Sequence, residues 1–398
     1  MSSESGHKRR IVLGITGGIA AYKSAELTRL LIQANFDVLP VMTRWGARFL
    51  GPLTMESLTG HKVRIDTPSA GEDTGIEHIS LVRSAELLVI APLTANTLAK
   101  MVIGQADNFL TTTYLAHRGP TLVCPAMNTA MMEHPATQRN LRQLAEDGAV
   151  ICYGDAGDLA CGEVGAGRMA EPVVIADYIH QLMTPDLPAL KGKTVLVTAG
   201  PTREDLDPVR YLTNRSSGKM GIAVARAFRN AGAHAVLVHG PVNQPIPPRL
   251  EAIGVNSAAE MSRAVLDRAP EADVVVMAAA VADYTPEMQA QKLKKETFDG
   301  TLKLNRTTDI LATLGKQKPK VLAGFAAESE HLLKNARSKL ERKNLDFIFA
   351  NDISGAMGFG SDDNRLIALD REGNSHDLGA HSKDELAAKM VAMIAQAL

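Results

Sequence analysis

The sequence KTVLVTAGPTREDLDPVRYLTNRSSGKMG, residues 193–221, contains the pattern that decides the fold of this chain. It begins with an apolar run, Thr194 to Thr198, that is short enough for one buried strand. A loop rich in Gly, Pro and Asp follows, and Ser216-Ser217-Gly218 then leads into a helical pattern. A strand, a glycine-bearing loop and a helix are how a nucleotide-binding α/β domain begins. Because this start lies at the middle of the chain and a similar one occurs at residue 11, we expect two α/β domains with separate sites.

The composition limits the class of protein. The chain has 398 residues, enough for two to three domains, and 45% of them are apolar. The formal net charge of −1 gives no reason to expect a nucleic-acid or membrane partner. Three cysteines, Cys124, Cys152 and Cys161, argue against a disulfide framework and for a reducing compartment. Since residues 1–10 are polar and basic and no apolar run is long enough to span a bilayer, we expect a cytoplasmic protein.

The first half begins with RIVLGITGGIAAYK, residues 10–23, which predicts a strand, a tight glycine turn and a helix start. Backbone N–H groups at such a helix start can hold an anion, and glycine allows the close approach that this requires. A tight turn without a ligand is the alternative. Three more predicted strands, at 36–42, 87–91 and 121–124, are each followed by small hydroxyl or amide residues. In a parallel sheet those ends gather at one edge, where ligands bind.

Three residues of the first half are candidate reactive groups. His78 follows a Gly/Asp loop and precedes a predicted helix, whose N-terminus would keep it neutral as a base must be; an ordinary surface or core histidine is the alternative. Asn128 has one donor and one acceptor at a strand end, suited to fixing a carboxylate, or it is simply an Asn in a turn. Cys161 lies in residues 157–169, which are too glycine-rich for a helix and predict a mobile flap with one thiol and one Arg.

Five motifs of this half together resemble a known family. They are GITGGIAAYK at 14–23, the His in EHI, APLTAN at 91–96, PAMN at 125–128 and LACGEVGAGRM at 159–169. The set is similar to the flavin-dependent cysteine decarboxylases, and in particular to the decarboxylase domain of the bifunctional phosphopantothenoylcysteine decarboxylases / phosphopantothenate–cysteine ligases of bacterial coenzyme A synthesis. The resemblance implies a flavodoxin-like domain over residues 1–183 that binds FMN and not NAD. The FMN contacts it implies are Gly17, Gly18, Ile19, Thr43, Pro92, Thr94 and Asn96.

The resemblance also implies a reaction for this domain. An α-carboxylate with no adjacent carbonyl decarboxylates with difficulty, because the carbanion has no electron sink, and oxidation of the cysteine thiol to a thioaldehyde by FMN creates one. Carbon dioxide then leaves to give an enethiol, and return of a hydride and a proton yields the saturated thiol. In the family's scheme His78 assists the oxidation, Asn128 binds the substrate carboxylate, and Cys161 supplies the proton while the flap excludes water.

The second half follows a proline-marked segment, residues 184–189, which predicts a short, stiff linker. Arg210 and Asn214 precede Ser-Gly-Lys near a predicted helix start, where an Arg suits a carboxylate or phosphate, although both could be ordinary loop residues. The sequence around Lys219 is not a P-loop, because the leading Gly of GxxxxGK[ST] is absent and Met220 replaces Ser/Thr.

Further candidates follow the later predicted strands. Asp283 comes where an apolar strand gives way to a loop, and it suits a hard cation, a ribose hydroxyl or, alternatively, a capping role. The lysine run at 292–295 would ordinarily be a solvated face, but its nearness to that strand end favours phosphate binding at least as much. Residues 307–310 resemble a helix N-cap. Lys339 and Lys343, four residues apart in a helical segment, share one face.

The motifs of this half, taken together, resemble the ligase domain of the same bifunctional proteins over residues 190–398. They are TAGPTRE, DPVRYLTNRSSGKMG, AAAVADY, KLKK, GFAAE and RKNLDFIFAND. The resemblance implies that CTP and Mg²⁺ (or Mn²⁺) are bound. The carboxylate of 4′-phosphopantothenate would attack the α-phosphorus to give an acyl-cytidylate and pyrophosphate, and the amine of L-cysteine would then displace CMP.

Roles for individual residues are implied in the same way. Lys292 would neutralise charge on the triphosphate, Asp283 would bind the cytidine ribose or the metal, and Asn214 with Arg210 would serve the acyl-cytidylate step. The remaining implied CTP contacts are Met277, Ala278, Ala279, Ala280, Thr307, Thr308, Asp309, Ile310, Phe325, Lys339 and Lys343.

The two implied reactions are consecutive, since the ligase product, 4′-phosphopantothenoylcysteine, is the decarboxylase substrate and 4′-phosphopantetheine is the final product. The fold expected for the whole chain is α/β, with two Rossmann-like three-layer domains. The family implies a homo-oligomer, a dodecamer built from decarboxylase trimers and ligase dimers.

Three alternatives compete with this interpretation. An NAD(P)-dependent oxidoreductase with duplicated Rossmann domains would carry GxGxxG, which neither glycine turn supplies. A non-catalytic flavin-binding interaction module would be expected to lose His78 or Cys161, and both are present. The third alternative is a protein in which only the ligase half is active.

Overall fold

A computed structural model of the chain describes residues 8–65, 83–158, 164–294, 300–328, 331–352 and 363–398. Two of the candidate residues, His78 and Cys161, lie outside these ranges. Contacts between Cα atoms divide the chain into two compact units, Met1–Met183 and Thr184–Leu398. Within the described ranges, no helix is both long and apolar enough to cross a membrane.

The first unit is built on a five-stranded parallel sheet. Its strands are β1 (Arg10–Ile15), β2 (Asp37–Met42), β3 (Leu87–Leu93), β4 (Thr121–Pro125) and β5 (Val150–Ile151). Their order across the sheet is β2-β1-β3-β4-β5, the flavodoxin-like order of doubly wound folds. A short antiparallel pair, β6 (Gly157–Asp158) and β7 (Val164–Gly165), follows in the chain.

Helices cover both faces of this sheet, because its strands are apolar on both sides. The helices are α1 (Tyr22–Gln33), α2 (Gly46–Phe49), α3 (Pro52–Thr59), α4 (Ala95–Val102), α5 (Phe109–Ala116), α6 (Thr129–Glu133), α7 (Pro135–Glu146) and α8 (Pro172–Met183). A 3₁₀ turn at Ile19–Ala21 precedes α1. Along β1, Leu13 belongs to the core shared with α1 and α8, whereas Val12 belongs to the core shared with α4, α5 and α7.

The second unit contains an eight-stranded sheet. Its strands are β8 (Thr194–Ala199), β11 (His234–His239), β12 (Glu251–Gly254), β13 (Val274–Met277), β16 (Val321–Glu328), β17 (Phe347–Asp352), β18 (Asp363–Asp370) and β19 (Ser375–Ser382). The order is β12-β11-β8-β13-β16-β17-β18-β19. The pairs β17–β18 and β18–β19 are antiparallel, and the other neighbouring pairs are parallel. Two small antiparallel pairs are β9 (Arg203–Asp205) with β10 (Tyr211–Thr213), and β14 (Tyr284–Pro286) with β15 (Leu304–Arg306).

Within the described residues, five α-helices pack on the two faces of this second sheet. They are α9 (Lys219–Asn230), α10 (Ala258–Arg268), α11 (Ile310–Leu314), α12 (Leu332–Arg342) and α13 (Lys383–Gln396). Successive residues of β8 again point to opposite faces, since Val195 and Val197 join the core under α9 and α13 while Leu196 joins the core under α10, α11 and α12. Two-sided burial explains why these strands read as continuous apolar runs.

The structure confirms the predicted fold class, with two three-layer α/β arrangements in one chain. Strand bounds differ from the predicted ones by a few residues, and one assignment was wrong. Gly324 to Glu328 were expected to follow a strand but lie inside β16, because their backbone pairs in register with Ile348 to Asp352 of β17. The proline-marked segment packs on the second unit, where the Leu187 N–H donates to the Ala231 carbonyl (3.1 Å) and Leu190 is buried.

Candidate functional site

A cavity of about 980 Å³ lies at the carboxyl edge of the first sheet. The glycine turn after β1, the segment after β2, and the polar residues after β3 and β4 all contribute to its walls. This is the convergence that parallel strand ends produce. The volume is in the range of cavities that enclose cofactors and other small molecules.

The glycine turn is shaped for close approach. A Cβ at Gly17 would lie 2.3 Å from Trp45 Cβ, so this turn and the segment after β2 touch without room for a side chain. At Gly18 the nearest atom to such a Cβ is Thr94 Cγ2 at 3.9 Å, which leaves the cavity side open. The Thr16 hydroxyl donates to the Pro92 carbonyl (2.8 Å) and accepts from the Thr94 N–H (3.0 Å). These bonds tie the ends of β1 and β3 together beneath the cavity.

Polar side chains cap the helices that start at the cavity. Thr94, Asn108 and Asn128 are the N-cap residues of α4, α5 and α6. Their side-chain oxygens accept backbone N–H bonds from Thr97 (3.4 Å), Thr111 (3.1 Å) and Met131 (3.3 Å), respectively. Each bond satisfies one of the donors that a helix start leaves without an intrahelical partner. The same three residues line the cavity, so local folding and site construction use the same atoms.

Most residues predicted for the first site come together here. Gly17, Gly18, Ile19, Thr43, Thr94, Asn96 and Asn128 all line the cavity. Pro92 does not; it follows a cis peptide bond and acts on the cavity through its carbonyl bond to Thr16. His78 and Cys161 lie outside the described residues. Three further lining residues, Lys23, Arg44 and Trp45, were not predicted from the sequence. Arg44 and Trp45 directly follow Thr43 after β2, so their place at a strand end could have identified them.

The described stem of the predicted flap is held in place by several contacts. Glu171 Oε1 lies 2.8 Å from Lys23 Nζ and 3.3 Å from Arg168 Nη2, so two cations share one carboxylate oxygen. The Met127 N–H donates to the Gly167 carbonyl (2.9 Å). Gly167 has φ +124°, and a Cβ there would lie 2.3 Å from the Met127 carbonyl oxygen. The bond between Met127 and Gly167 therefore fixes the positions of the residues that follow them, Asn128 and Arg168, on the cavity wall.

A second cavity, of about 350 Å³, lies at the carboxyl edge of the sheet in the second unit. Its walls contain all the residues predicted to contact CTP except Lys292. These are Met277, Ala278, Ala279, Ala280, Asp283, Thr307, Thr308, Asp309, Ile310, Phe325, Lys339 and Lys343. The loop Ser216 to Gly218 at the start of α9 also lines it, although it carries no P-loop motif. Sequence reasoning rejected the motif correctly but assigned the loop no contact.

Four lysines line this cavity and give it positive charge: Lys219, Lys339, Lys343 and Lys383. Lys339 Nζ donates to the Phe325 carbonyl (2.8 Å), and Lys343 Nζ lies 2.9 Å from Asp309 Oδ1. Burial by itself would raise the pKa of Asp309, but the Ala312 N–H and Lys343 outweigh it, so the pKa is lowered. Asp309 also caps α11 through the Ala312 N–H (3.0 Å). The carboxylate therefore stays ionised and holds Lys343 at the cavity wall.

Three predicted catalytic residues, Arg210, Asn214 and Lys292, do not line this cavity. Asn214 adjoins it, because its Nδ2 donates to the carbonyls of Ala280 (3.2 Å) and Val281 (3.1 Å). Arg210 binds Asp207, and Lys292 is exposed. The described residues thus form a cavity with Asn214 beside it, whereas Arg210 and Lys292 lie outside its walls.

Metal-binding groups are sparse in the described ranges, which contain no cluster of three or more His, Cys, Asp or Glu side chains. Asp283 is an exposed carboxylate on the wall of the second cavity. A Mg²⁺ ion is commonly held by one or two carboxylates together with substrate phosphates, which needs no cage made of protein alone. Asp283 fits that limited role.

Comparison with known proteins gives matches over both halves. A family described as "DNA/pantothenate metabolism flavoprotein C-terminal domain" matches residues 190–398, and one described as "Flavoprotein" matches residues 1–184. Coenzyme A biosynthesis bifunctional protein CoaBC of Bacillus subtilis (strain 168) is 43% identical over 394 residues, which cover 98% of this chain and 97% of the relative.

Two solved structures match one half each. The C-terminal domain of a Coenzyme A biosynthesis bifunctional protein CoaBC is 40% identical, with a TM-score of 0.46, and the match covers 52% of this chain and 96% of that one. A PPC decarboxylase variant complexed with pantothenoylaminoethenethiol is 35% identical, with a TM-score of 0.40, over 44% of this chain and 97% of that one.

Proposed function

This chain belongs to the family of the coenzyme A biosynthesis bifunctional proteins, and on that premise we propose how its two units divide the work. It is a bifunctional enzyme of coenzyme A biosynthesis, a ligase and a decarboxylase. In our proposal residues 190–398 condense 4′-phosphopantothenate with L-cysteine at the expense of CTP. Residues 1–183 then decarboxylate the 4′-phosphopantothenoylcysteine to 4′-phosphopantetheine, and residues 184–189 join the two.

FMN is the cofactor that the first cavity fits best. The cavity is large enough for a flavin nucleotide. Gly17 and Gly18 have no side chains, so the backbone N–H groups at the start of Ile19–Ala21 are accessible to a phosphate. When bound, FMN supplies the two-electron oxidation that turns the substrate's cysteine thiol into an electron sink. Thr43, Thr94 and Asn96 line the same cavity and have polar side chains for the rest of the cofactor.

The protein's own part in decarboxylation is to bind, orient and protonate. Asn128 Nδ2 is proposed to donate to the substrate carboxylate while Oδ1 keeps its bond to the Met131 N–H. Cys161 is proposed to deliver the proton that completes the product, and His78 to accept the proton released during oxidation. The Lys23–Glu171–Arg168 contact holds the stem from which the Cys161 segment extends.

In the ligase unit, charge and backbone groups surround the proposed nucleotide. Lys339 and Lys343 place two ammonium groups at the cavity wall, where a triphosphate or its reaction partner needs neutralising charge. Lys292 is proposed to add a further positive charge, and Asp283 to bind Mg²⁺ (or Mn²⁺) or the ribose. Asn214, fixed to the Ala280 carbonyl, is proposed to act with Arg210 on the acyl-cytidylate.

A homo-oligomer is part of this proposal, with decarboxylase trimers and ligase dimers combined into a dodecamer in the cytoplasm. Light scattering of the purified protein measures the mass of the particle and so distinguishes a dodecamer from a dimer or a trimer.

The observation that carries the proposal is the second cavity, whose walls bring together 12 of the 13 residues assigned to CTP from the sequence. The test is product analysis by mass spectrometry after mixing the protein with 4′-phosphopantothenate, L-cysteine, Mg²⁺ and either CTP or ATP. We expect 4′-phosphopantetheine, CMP and pyrophosphate with CTP. Accumulation of phosphopantothenoylcysteine would support the proposed ligase activity and refute the proposed decarboxylase activity. Neither product, in folded protein that holds flavin, would refute the proposal.

The glycine turn gives a prediction for flavin binding. In Gly17→Ala the new Cβ would collide with Trp45 Cβ at 2.3 Å and approach the Trp45 carbonyl carbon at 3.0 Å, so the turn must move away from the segment after β2. Overpacking of about 1–3 kcal/mol at this contact, if it falls on the bound state, corresponds to about five- to 150-fold weaker FMN binding. The ratio of flavin absorbance to protein after gel filtration measures it.

The matched control is Gly51→Ala, where an added Cβ meets nothing within 4 Å and φ is −58°. It should keep the wild-type flavin content. Equal flavin in Gly17→Ala and wild type would show that the turn is not part of the FMN site.

A further inference from the structure

One carboxylate outside both cavities connects two of the proposed ligase residues. The side chain of Asp207 is 0% exposed, although it lies in the loop between β9 and β10. It makes bonds in two directions, and each of its oxygens has a different set of partners. A carboxylate so completely removed from water requires partners of this kind.

Oδ1 of Asp207 serves its own loop. It accepts the backbone N–H groups of Val209 (2.8 Å) and Arg210 (2.9 Å), two and three residues along the chain. This is a side-chain turn of the sort that Asp and Asn both form readily.

Oδ2 of Asp207 reaches across the unit. It accepts Nε (3.0 Å) and Nη2 (2.6 Å) of Arg210, and it also accepts the backbone N–H of Leu293 (3.1 Å), which is 86 residues away in sequence. Arg210 Nη2 donates in addition to the Leu293 carbonyl (2.8 Å). Leu293 is therefore held at both its N–H and its carbonyl, one by the carboxylate and one by the guanidinium.

Leu293 directly follows Lys292, so the peptide group held by Asp207 is the one that joins these two residues. A second bond, from the Gln289 N–H to the Leu206 carbonyl (2.9 Å), joins the same two segments. The Arg210 guanidinium, opposed by burial and assisted by the backbone N–H groups, holds the pKa of the Asp207 carboxyl well below its usual range. The Asp207 carboxylate is therefore ionised at neutral pH, as its bonds to Arg210 and Leu293 require.

We propose that Asp207 is a positioning residue of the ligase, which fixes the Arg210 guanidinium and the Lys292 backbone relative to each other. The inference rests on the proposed function, because Arg210 and Lys292 are ligase residues only within it. Asp207 itself touches no substrate. Its contribution is orientation, and displacement of a charged group by about 1 Å at a reacting centre costs about a hundredfold in rate.

The deciding variant is Asp207→Asn, which separates the two oxygens. Its amide oxygen can keep the turn bonds to Val209 and Arg210, while its NH₂ group faces three donors in place of Oδ2. We expect a folded protein in which the single-turnover rate of pyrophosphate release from CTP and 4′-phosphopantothenate, measured without cysteine so that the acyl-cytidylate is not consumed, falls about a hundredfold. Asp205→Asn, an exposed carboxylate in β9, is the control and should match wild type.

Two further measurements distinguish positioning from a structural role. In the double variant Asp207→Asn/Lys292→Gln, the loss should be clearly smaller than the product of the two single losses. Losses that multiply fully, or a wild-type rate of pyrophosphate release in Asp207→Asn, would overturn the proposal. Decarboxylation of added 4′-phosphopantothenoylcysteine should be unchanged in both variants.

The remaining measurement is made on the wild-type protein and does not depend on whether a variant folds. In the wild-type protein the Leu293 amide should exchange with deuterium at least about tenfold more slowly than an amide in an unstructured chain. Unprotected exchange there would remove the link on which the proposal depends. If wild-type protein releases no pyrophosphate from CTP, the proposed function fails and so does the role of Asp207 in it, whereas an active wild type with an active Asp207→Asn refutes Asp207 alone.

Discussion

Replacement of Asn128 by Asp should slow decarboxylation about a hundredfold while the fold and the flavin remain. Asp is as good an N-cap as Asn, so the bond to the Met131 N–H and the start of α6 are retained. The change replaces an NH₂ donor by a charged oxygen on the cavity wall, where the proposal places the substrate carboxylate. Two like charges in contact cost several kcal/mol, and about 3 kcal/mol corresponds to about a hundredfold lower kcat/KM.

The measurement is carbon dioxide release from 4′-phosphopantothenoylcysteine, together with flavin absorbance and the melting temperature. Asn108→Ser is the control, because Asn108 caps α5 in the same way and also lines the cavity, and Ser keeps the cap. Asp is unsuitable there, since Asn108 Nδ2 donates to Asp107 Oδ1 (2.8 Å). The control should lose much less activity, since the proposal places the substrate carboxylate at Asn128 and not at Asn108. Undiminished carbon dioxide release by Asn128→Asp would show that the substrate carboxylate lies elsewhere.

Replacement of Gly221 by Ala should remove ligase activity and leave decarboxylation intact. Gly221 lies in the first turn of α9, where a Cβ would be 2.5 Å from the Thr198 carbonyl oxygen and 2.6 Å from Ala199 Cβ. The helix must therefore move away from β8, and the loop at its start, Ser216 to Gly218, moves with it. Overpacking costs about 1–3 kcal/mol, of which better helix propensity returns up to about 1 kcal/mol.

Calorimetry of the whole chain and separate assays of each half-reaction test this prediction. Gly254→Ala in β12 is the control, because its Cβ would make only ordinary contacts, at 3.6 Å or more, with His239. The control should have wild-type activity in both assays. A Gly221→Ala protein with full ligase activity would mean that the α9 start is not part of the nucleotide site.

The fold was predictable because its signals are local and repeated. Thr194 to Thr198 and Leu87 to Ala91 are buried on both faces, and two-sided burial produces the continuous apolar runs that mark parallel strands. The end of each strand was less predictable. Gly324 to Glu328 looked like a loop after a strand, yet they pair with Ala350 and its neighbours in β17, a partner that only the tertiary structure supplies.

The cavity walls were predictable to the extent that they follow strand ends or belong to motifs. Thr43, Thr94 and Asn128 satisfy that condition and line the first cavity. Lys23 was missed although it ends the GITGGIAAYK motif, since it lies on a helix and its ion pair with Glu171 spans 148 residues of sequence. Asp207 was also invisible as a link, because its partner Leu293 is apolar and donates only through its backbone. No side-chain pattern in the sequence reports such a bond.

The edges of the eight-stranded sheet limit how copies of the second unit can associate. One edge strand, β12, has only four residues, of which three are exposed. The other, β19, contains His376, Asp377 and a positive-φ Gly379, and its pairing with β18 changes register at Leu366/Ile367. Short, charged or bulged edges discourage the addition of a strand from another molecule. We therefore expect that assembly of these units occurs through other surfaces and does not continue the β-sheet from one molecule into the next.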